Sequence, residues 1–239
     1  MSTTLLIIIG VVVLVVLMSL ALSIASFSND RFLQEYEKLA NEPTNENLNI
    51  LDFVHLLNHN KFGGKIRVQS VEKDTENFYV SKAKVVALSQ RTLSSNTLAS
   101  FAIVAHEMGH ALQDQEGKKL ARLNFLRRVG SFIGFLFLPS ILAGIILLFW
   151  GDQFKTISFV LFGVAAAILL LAVIIKSATI SIEKDASEKG IEFLQEILSD
   201  DEVSKCRKLL NTARLTYWGD LFRLLLSWTL LTKKTTLFR

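Results

Sequence analysis

The stretch FAIVAHEMGHALQDQEG, residues 101–117, carries two of the chain's four histidines, set four apart with a glutamate directly after the first. Positions i and i+4 project from one face of a helix a turn apart, so His106 and His110 can give two imidazole nitrogens to a single Zn²⁺ ion. Glu107 lies off that line, where its carboxylate can reach a water on the ion and take its proton. Gly109 and Ala111 are small and would let another element come close to this helix. His55 and His59 are also four apart, but no glutamate follows the first. With Asp52 they read as the polar side of a helix whose other face is apolar, a solvated surface rather than a ligand pair.

A helix that offers two ligands needs a fold that delivers the rest, and composition says what kind of fold that is. The 239 residues are 51% hydrophobic with a mean hydropathy of +0.40, too apolar for an ordinary soluble domain. Three stretches free of Asp, Glu, Lys and Arg carry the excess, residues 5–25, 130–150 and 156–175. Each is about 20 residues, enough to cross roughly 30 Å of hydrocarbon as a helix. The first lacks the basic start and short apolar run of a cleavable signal and reads as a retained anchor. Lys118, Lys119, Arg122, Arg127 and Arg128 precede the second span, whereas the turn between the second and third offers Lys155 beside Asp152. This asymmetry predicts an outside N terminus, with residues 27–129 and the tail after Lys176 cytoplasmic. The basic residues show no aromatic interleaving of a nucleic-acid binder. The single cysteine, Cys206, excludes an intramolecular disulfide and a cysteine-rich metal site.

Between the first two spans the pattern is that of a small α+β unit. Ile50, Phe53, Val54 and Leu57 mark one face of a helix that Gly63-Gly64 would end. KIRVQSV (residues 65–71) and KVVALS (84–89) are short and β-branched, as strands are. The metal-binding helix is predicted to start near Ser95 or Asn96 and to stop at Gly117. NEPTNENLN, residues 41–49, is the one polar linker, and Pro139 falls inside the second span. In the tail, Asp220 and Arg223 on one face argue for a helix lying in the membrane interface over residues 215–231, with Trp218 and Trp228 at headgroup level.

A catalytic zinc takes three protein ligands and keeps one position open. A glycine and a third histidine placed three and six residues after His110 would supply the last ligand, but those positions hold Gln113 and Glu116. Glu183 stands seven residues beyond Lys176, roughly 10 Å of helix at 1.5 Å per residue. Two crossings separate it from His110, and an even number returns the chain to the same side. Glu196 and Asp200 form a rival acidic pair. Tyr79 and Tyr217 are candidates to hold an oxyanion, Asp114 and Asp185 to orient a ligand imidazole, and the edge of the strand ending at Ser89 to pair with an extended substrate.

These blocks together resemble the YugP-type neutral zinc metallopeptidases, integral membrane proteins of bacteria, and more distantly the HtpX-like membrane proteases. KVVALS looks like the family's strand before the helix, AHEMGHALQ (105–113) its metal helix, IEKDAS (182–187) its glutamate-bearing segment, and LLNTARLTY (209–217) its late helix. The resemblance implies a mainly α membrane protein with three transmembrane helices. A small α+β zincin-like catalytic region would form from the segment between spans one and two together with the C-terminal segment. The segments would be an anchor (1–26), a cytoplasmic metallopeptidase region (27–129), a transmembrane hairpin (130–176) and a cytoplasmic helical region (177–239). It implies Zn²⁺ held by His106, His110 and Glu183, with Glu107 as catalytic base, acting on protein or peptide substrates at the bacterial plasma membrane. One departure is plain: the family's D-H-Y-D-P block falls on NFYVS, residues 77–81, and keeps only Tyr79. A non-catalytic membrane adaptor that retains a zinc site is the alternative. A transporter, which places ionisable groups inside its spans, does not match three uncharged stretches.

Overall fold

The computed structural model describes residues 3–45, 48–72, 76–117 and 119–225. In chain order these form α1 (Thr3–Ala40), α2 (Ile50–Phe62), β1 (Arg67–Val71), β2 (Phe78–Val80), β3 (Val85–Ser89), α3 (Gln90–Ser94), α4 (Leu98–Glu116), α5 (Lys119–Trp150), a 3₁₀ turn (Asp152–Phe154), α6 (Lys155–Gln195) and α7 (Asp200–Leu225). The chain divides into two units. One gathers residues up to 31, 128–176 and those from 215; the other holds 32–127 and 177–214.

The first unit is apolar helix. α5 and the segment Asp152–Gln195 are long and apolar enough to cross a membrane, and residues 5–25 lie within the continuous helix α1. Phe132, Phe149, Phe159 and Leu170 point outward, each more than 60% exposed. Contiguous apolar surface on this scale is uncommon on a soluble monomer. Inside the unit, Phe137, Ala165 and Ala172 form a small core. The ring of Tyr217 lies 5.2 Å under the Lys176 ammonium. Trp228, the final lysines and the side chains of Asp220 and Arg223 lie outside the described residues, and with them the interfacial reading of the tail.

The second unit is built around α4. Fifteen of its residues are buried, on every side of the helix, so it is an axial core helix rather than an amphipathic surface one. The ring of Phe53 from α2 stacks on Phe101 at 5.1 Å, and Leu194 of α6 with Cys206 and Leu209 of α7 complete the same cluster. α2 follows the expected boundaries: the side chain of Asn49 accepts from the Asp52 amide, and Gly63 closes the helix at φ 59°. That left-handed turn favours glycine.

β3 is the central strand, parallel to β1 and antiparallel to β2, with order β1-β3-β2. Two sequence expectations are corrected here. Both edges of β3 are occupied, so the strand ending at Ser89 has no edge left for a substrate. α4 starts later than Ser95 or Asn96: Thr97 is its N-cap and makes no side-chain cap bond. The carbonyl of Glu42 takes the Leu98 amide at 3.0 Å instead, and Thr44 donates to Asn96 O. The polar linker itself caps the helix, and this long-range partner is invisible to local capping rules.

The start of α7 is tied down by the side chain of Glu202. Glu202, buried to 3% exposure, accepts from the Ser199 amide at 3.1 Å, the Ser199 hydroxyl at 2.6 Å and the Asn45 amide at 2.9 Å. Burial opposes its ionisation, but these donors outweigh it and hold its pKa below the ordinary value. Glu202→Ala strands three donors and is expected to destabilise the protein by about 2 kcal/mol, read as a lowered melting temperature. Because the folded-state pKa is depressed, the stabilisation is complete above the unfolded value and fades as pH falls through the folded one. The wild-type advantage over Glu202→Ala therefore shrinks in acid.

Candidate metal centre

Three side chains from two helices converge in the second unit. His106 and His110 project from successive turns of α4, their rings 4.8 Å apart and nearly perpendicular. Glu183 comes from α6, and its Oε2 lies 3.4 Å from Nε2 of each histidine. The helices approach this closely because of glycine. A Cβ built on Gly109 would sit 2.1 Å from Ala186 O, and one on Gly190 would sit 2.7 Å from Ala105 O. Backbone therefore meets backbone at two points along α4 and α6, which carries Glu183 onto the histidine face.

Three ligand atoms lie within 4.8 Å of one another, and the spacings from Glu183 to each histidine suit a small tetrahedral cation. Ligand atoms about 2.05 Å from a common tetrahedral ion are separated by roughly 3.4 Å, matching the two nitrogen–oxygen spacings seen here. All three side chains are at most 5% exposed. A cluster of these buried groups is compatible with a metal site.

The ring nitrogens facing away from the cluster fix its chemistry. The Ser187 hydroxyl donates to Glu183 O and so accepts from His106 Nδ1 at 3.1 Å. Gln113 Nε2 donates to Ile182 O and to Asp185 Oδ2, leaving Gln113 Oε1 to accept from His110 Nδ1 at 3.0 Å. Both imidazoles thus keep a proton on Nδ1 and turn Nε2 toward Glu183, the orientation that a metal ligand needs. Sequence reasoning gave this orienting role to Asp114 and Asp185. Asp185 acts at one remove, through Gln113. Asp114 does not contact the ring: it accepts from the Tyr79 hydroxyl, the Ser81 hydroxyl and Lys84 Nζ, tying the β2–β3 turn to α4.

Tyr79 is accordingly not aimed at an oxyanion; burial and its bond to Asp114 raise its pKa. Its backbone amide meets Glu107 instead. The other carboxylate oxygen of Glu107, Oε2, is one of two buried side-chain atoms among the described residues with no hydrogen-bond partner. Burial pushes the Glu107 carboxyl up to about 8. Glu183 is also fully enclosed, but His110, His106 and Arg127 overcome the burial and keep it ionised well below the usual range. Desolvation lowers the pKa of His106, whereas for His110 the charge of Glu183 reverses the same effect and raises it.

The remaining candidates lie elsewhere. His55 and His59 are exposed on α2. Glu196 pairs with Lys61 at 2.6 Å on the surface, which removes it as a rival ligand. Tyr217 belongs to the other unit. Sequence reasoning missed Gln113, Ser187 and Arg127 as neighbours of the site. The first two carried a signal, for Gln113 follows His110 by three residues and Ser187 follows Glu183 by four, each on its partner's helix face.

Comparisons with known proteins give the chain a family. A family model described as "Putative neutral zinc metallopeptidase" matches residues 6–232. The chain is 25% identical over 162 residues to a Bacillus subtilis (strain 168) protein named "Putative membrane protease YugP". That alignment covers 64% of this chain and 65% of the relative, just under two thirds of its length. No solved structure matches.

Proposed function

The chain belongs to this neutral zinc metallopeptidase family, and on that premise we propose that it is an integral membrane endopeptidase. His106, His110 and Glu183 would hold its zinc ion, and Glu107 would be its general base. The single observation that carries this reading is the pair of 3.4 Å spacings from Glu183 Oε2 to Nε2 of the two imidazoles. When bound there, zinc would polarise the scissile carbonyl and make a water acidic near neutral pH. The partnerless Glu107 Oε2 takes the proton of the attacking water and passes it to the leaving amine. Tyr79 N–H anchors the opposite oxygen of the same carboxylate and fixes its aim. Gln113 and Ser187 hold the imidazoles in one tautomer, so no reorientation precedes the reaction.

The membrane arrangement is part of the proposal. Residues 5–25, α5 and α6 would cross the bilayer, and the basic residues before the second crossing would keep the centre on the cytoplasmic side. An extended peptide, including segments of membrane proteins, would be the substrate.

The test is metal analysis of the purified chain beside His106→Ala and Glu183→Ala. Wild type is expected to bind one zinc and to cleave unfolded protein, with cleavage abolished by a chelator and restored by zinc. Each substitution is expected to lose stoichiometric zinc. A zinc-loaded wild type that cleaves nothing would favour the adaptor alternative, and a wild type that binds no metal would end both readings.

A further inference from the structure

Glu183 has two oxygens, and the structure treats them differently. Oε2 faces the histidines, whereas Oε1 accepts a hydrogen bond from Arg127 Nη2 at 2.5 Å. Arg127 comes from the opening turns of α5, where Lys119 also pairs with Asp185 of α6 at 2.9 Å. The Arg127 side chain is 35% exposed while that of Glu183 is 1% exposed, so the pair links a partly solvated residue to the enclosed centre.

We propose that Arg127 is the positioning residue of the metal centre, holding Glu183 Oε1 so that the carboxylate offers only Oε2 to the ion. The inference rests on reading the cluster as a zinc site. A carboxylate can bind a cation through one oxygen or both, and the choice decides how many positions remain. Two nitrogens and one oxygen leave a tetrahedral ion one open position for water. Engagement of the second oxygen would fill that position or crowd it. A charge-assisted bond from a guanidinium is among the strongest means of committing an oxygen elsewhere, and Arg127 also places positive charge beside the ligand, weakening its donation and favouring an acidic water. Partners one step removed from a metal commonly change its affinity by 10–100-fold. The contact that ties Arg127 to the cluster is its bond to Glu183 Oε1, so its proposed effect passes through Glu183.

The experiment uses the full chain in detergent, loaded with Co²⁺ as a coordination probe, comparing wild type, Arg127→Met and Arg127→Lys. Four-coordinate Co²⁺ absorbs visible light several-fold more strongly than the ion at higher coordination number. Wild type is expected to show the intense band. Arg127→Met is expected to bind Co²⁺ one to one with the band reduced several-fold, and Arg127→Lys, which keeps one cationic donor for Oε1, to recover most of it. Should Arg127→Met lose its cooperative melting transition, Arg127→Lys decides the matter: a wild-type band supports the role, a weak band in a folded protein opposes it. Arg127→Met with a wild-type band would overturn the positioning role while leaving the zinc reading intact. A wild type that takes up neither Co²⁺ nor Zn²⁺ would remove both.

Discussion

Glu107→Gln is expected to keep its zinc and lose peptide cleavage by at least 10²–10⁴-fold, the range that a positioned general base contributes. Glutamine has nearly the same volume, and its carbonyl can still accept from the Tyr79 amide that meets Glu107, so a side chain 1% exposed in the core is replaced without a cavity. The substitution removes the ability to take a proton and little else. Glu107 lies outside the His106, His110 and Glu183 cluster, so its loss is not expected to release metal. Zinc content by elemental analysis and cleavage of an unfolded protein, measured on one preparation, separate the two properties. A protein that merely stored zinc for folding would be indifferent to the change. An active Glu107→Gln variant would rule out Glu107 as base, and a metal-free one would mean that it is a ligand.

What could be read from the sequence follows the range of the physical rules involved. The histidine pair and Glu107 were legible because helical periodicity acts over four residues and leaves little freedom. Glu183 was legible through the family resemblance; counting the expected membrane crossings permitted it but did not choose it over Glu196. β2 was not, because three residues between turns carry too little alternation to signal a strand, and its site contribution is a backbone amide that no side-chain pattern records. The cap of α4 was misplaced because its partner, Glu42 O, lies in a linker 56 residues upstream of Leu98. Asp114 and Asp185 are the acceptors the sequence suggests, yet the groups touching the imidazoles are a neutral amide and a hydroxyl. Neutral acceptors serve as well for fixing a tautomer and bring no further charge into an enclosed centre that already holds two carboxylates. Arg127 was read only as a topological marker, since nothing in local sequence says which basic residue of the run would reach Glu183.

The second large effect is expected where there is no functional group at all. Gly109→Ala should destabilise the protein by about 3 kcal/mol and cost it most of its zinc. On an exposed helix the same change stabilises by up to about 1 kcal/mol, because alanine is the better helix former, so the sign of the result is diagnostic. The added methyl would lie 2.1 Å from Ala186 O, 3.0 Å from Ala186 C and 3.3 Å from Ala186 Cα. These are backbone atoms that no rotamer change can move aside, so α6 itself must back away from α4. Ala186 is three residues beyond Glu183 on the same helix, and the shift that relieves the clash carries Oε2 away from both imidazoles. Retreats of an ångström matter when donor spacings of 3.4 Å already match what a tetrahedral ion requires. Gly163 provides the control, for a Cβ there meets nothing within 4 Å, and Gly163→Ala should leave melting temperature and zinc content near wild type. If Gly109→Ala were as stable and as metal-replete as Gly163→Ala, close backbone contact could not be what brings Glu183 to the histidines.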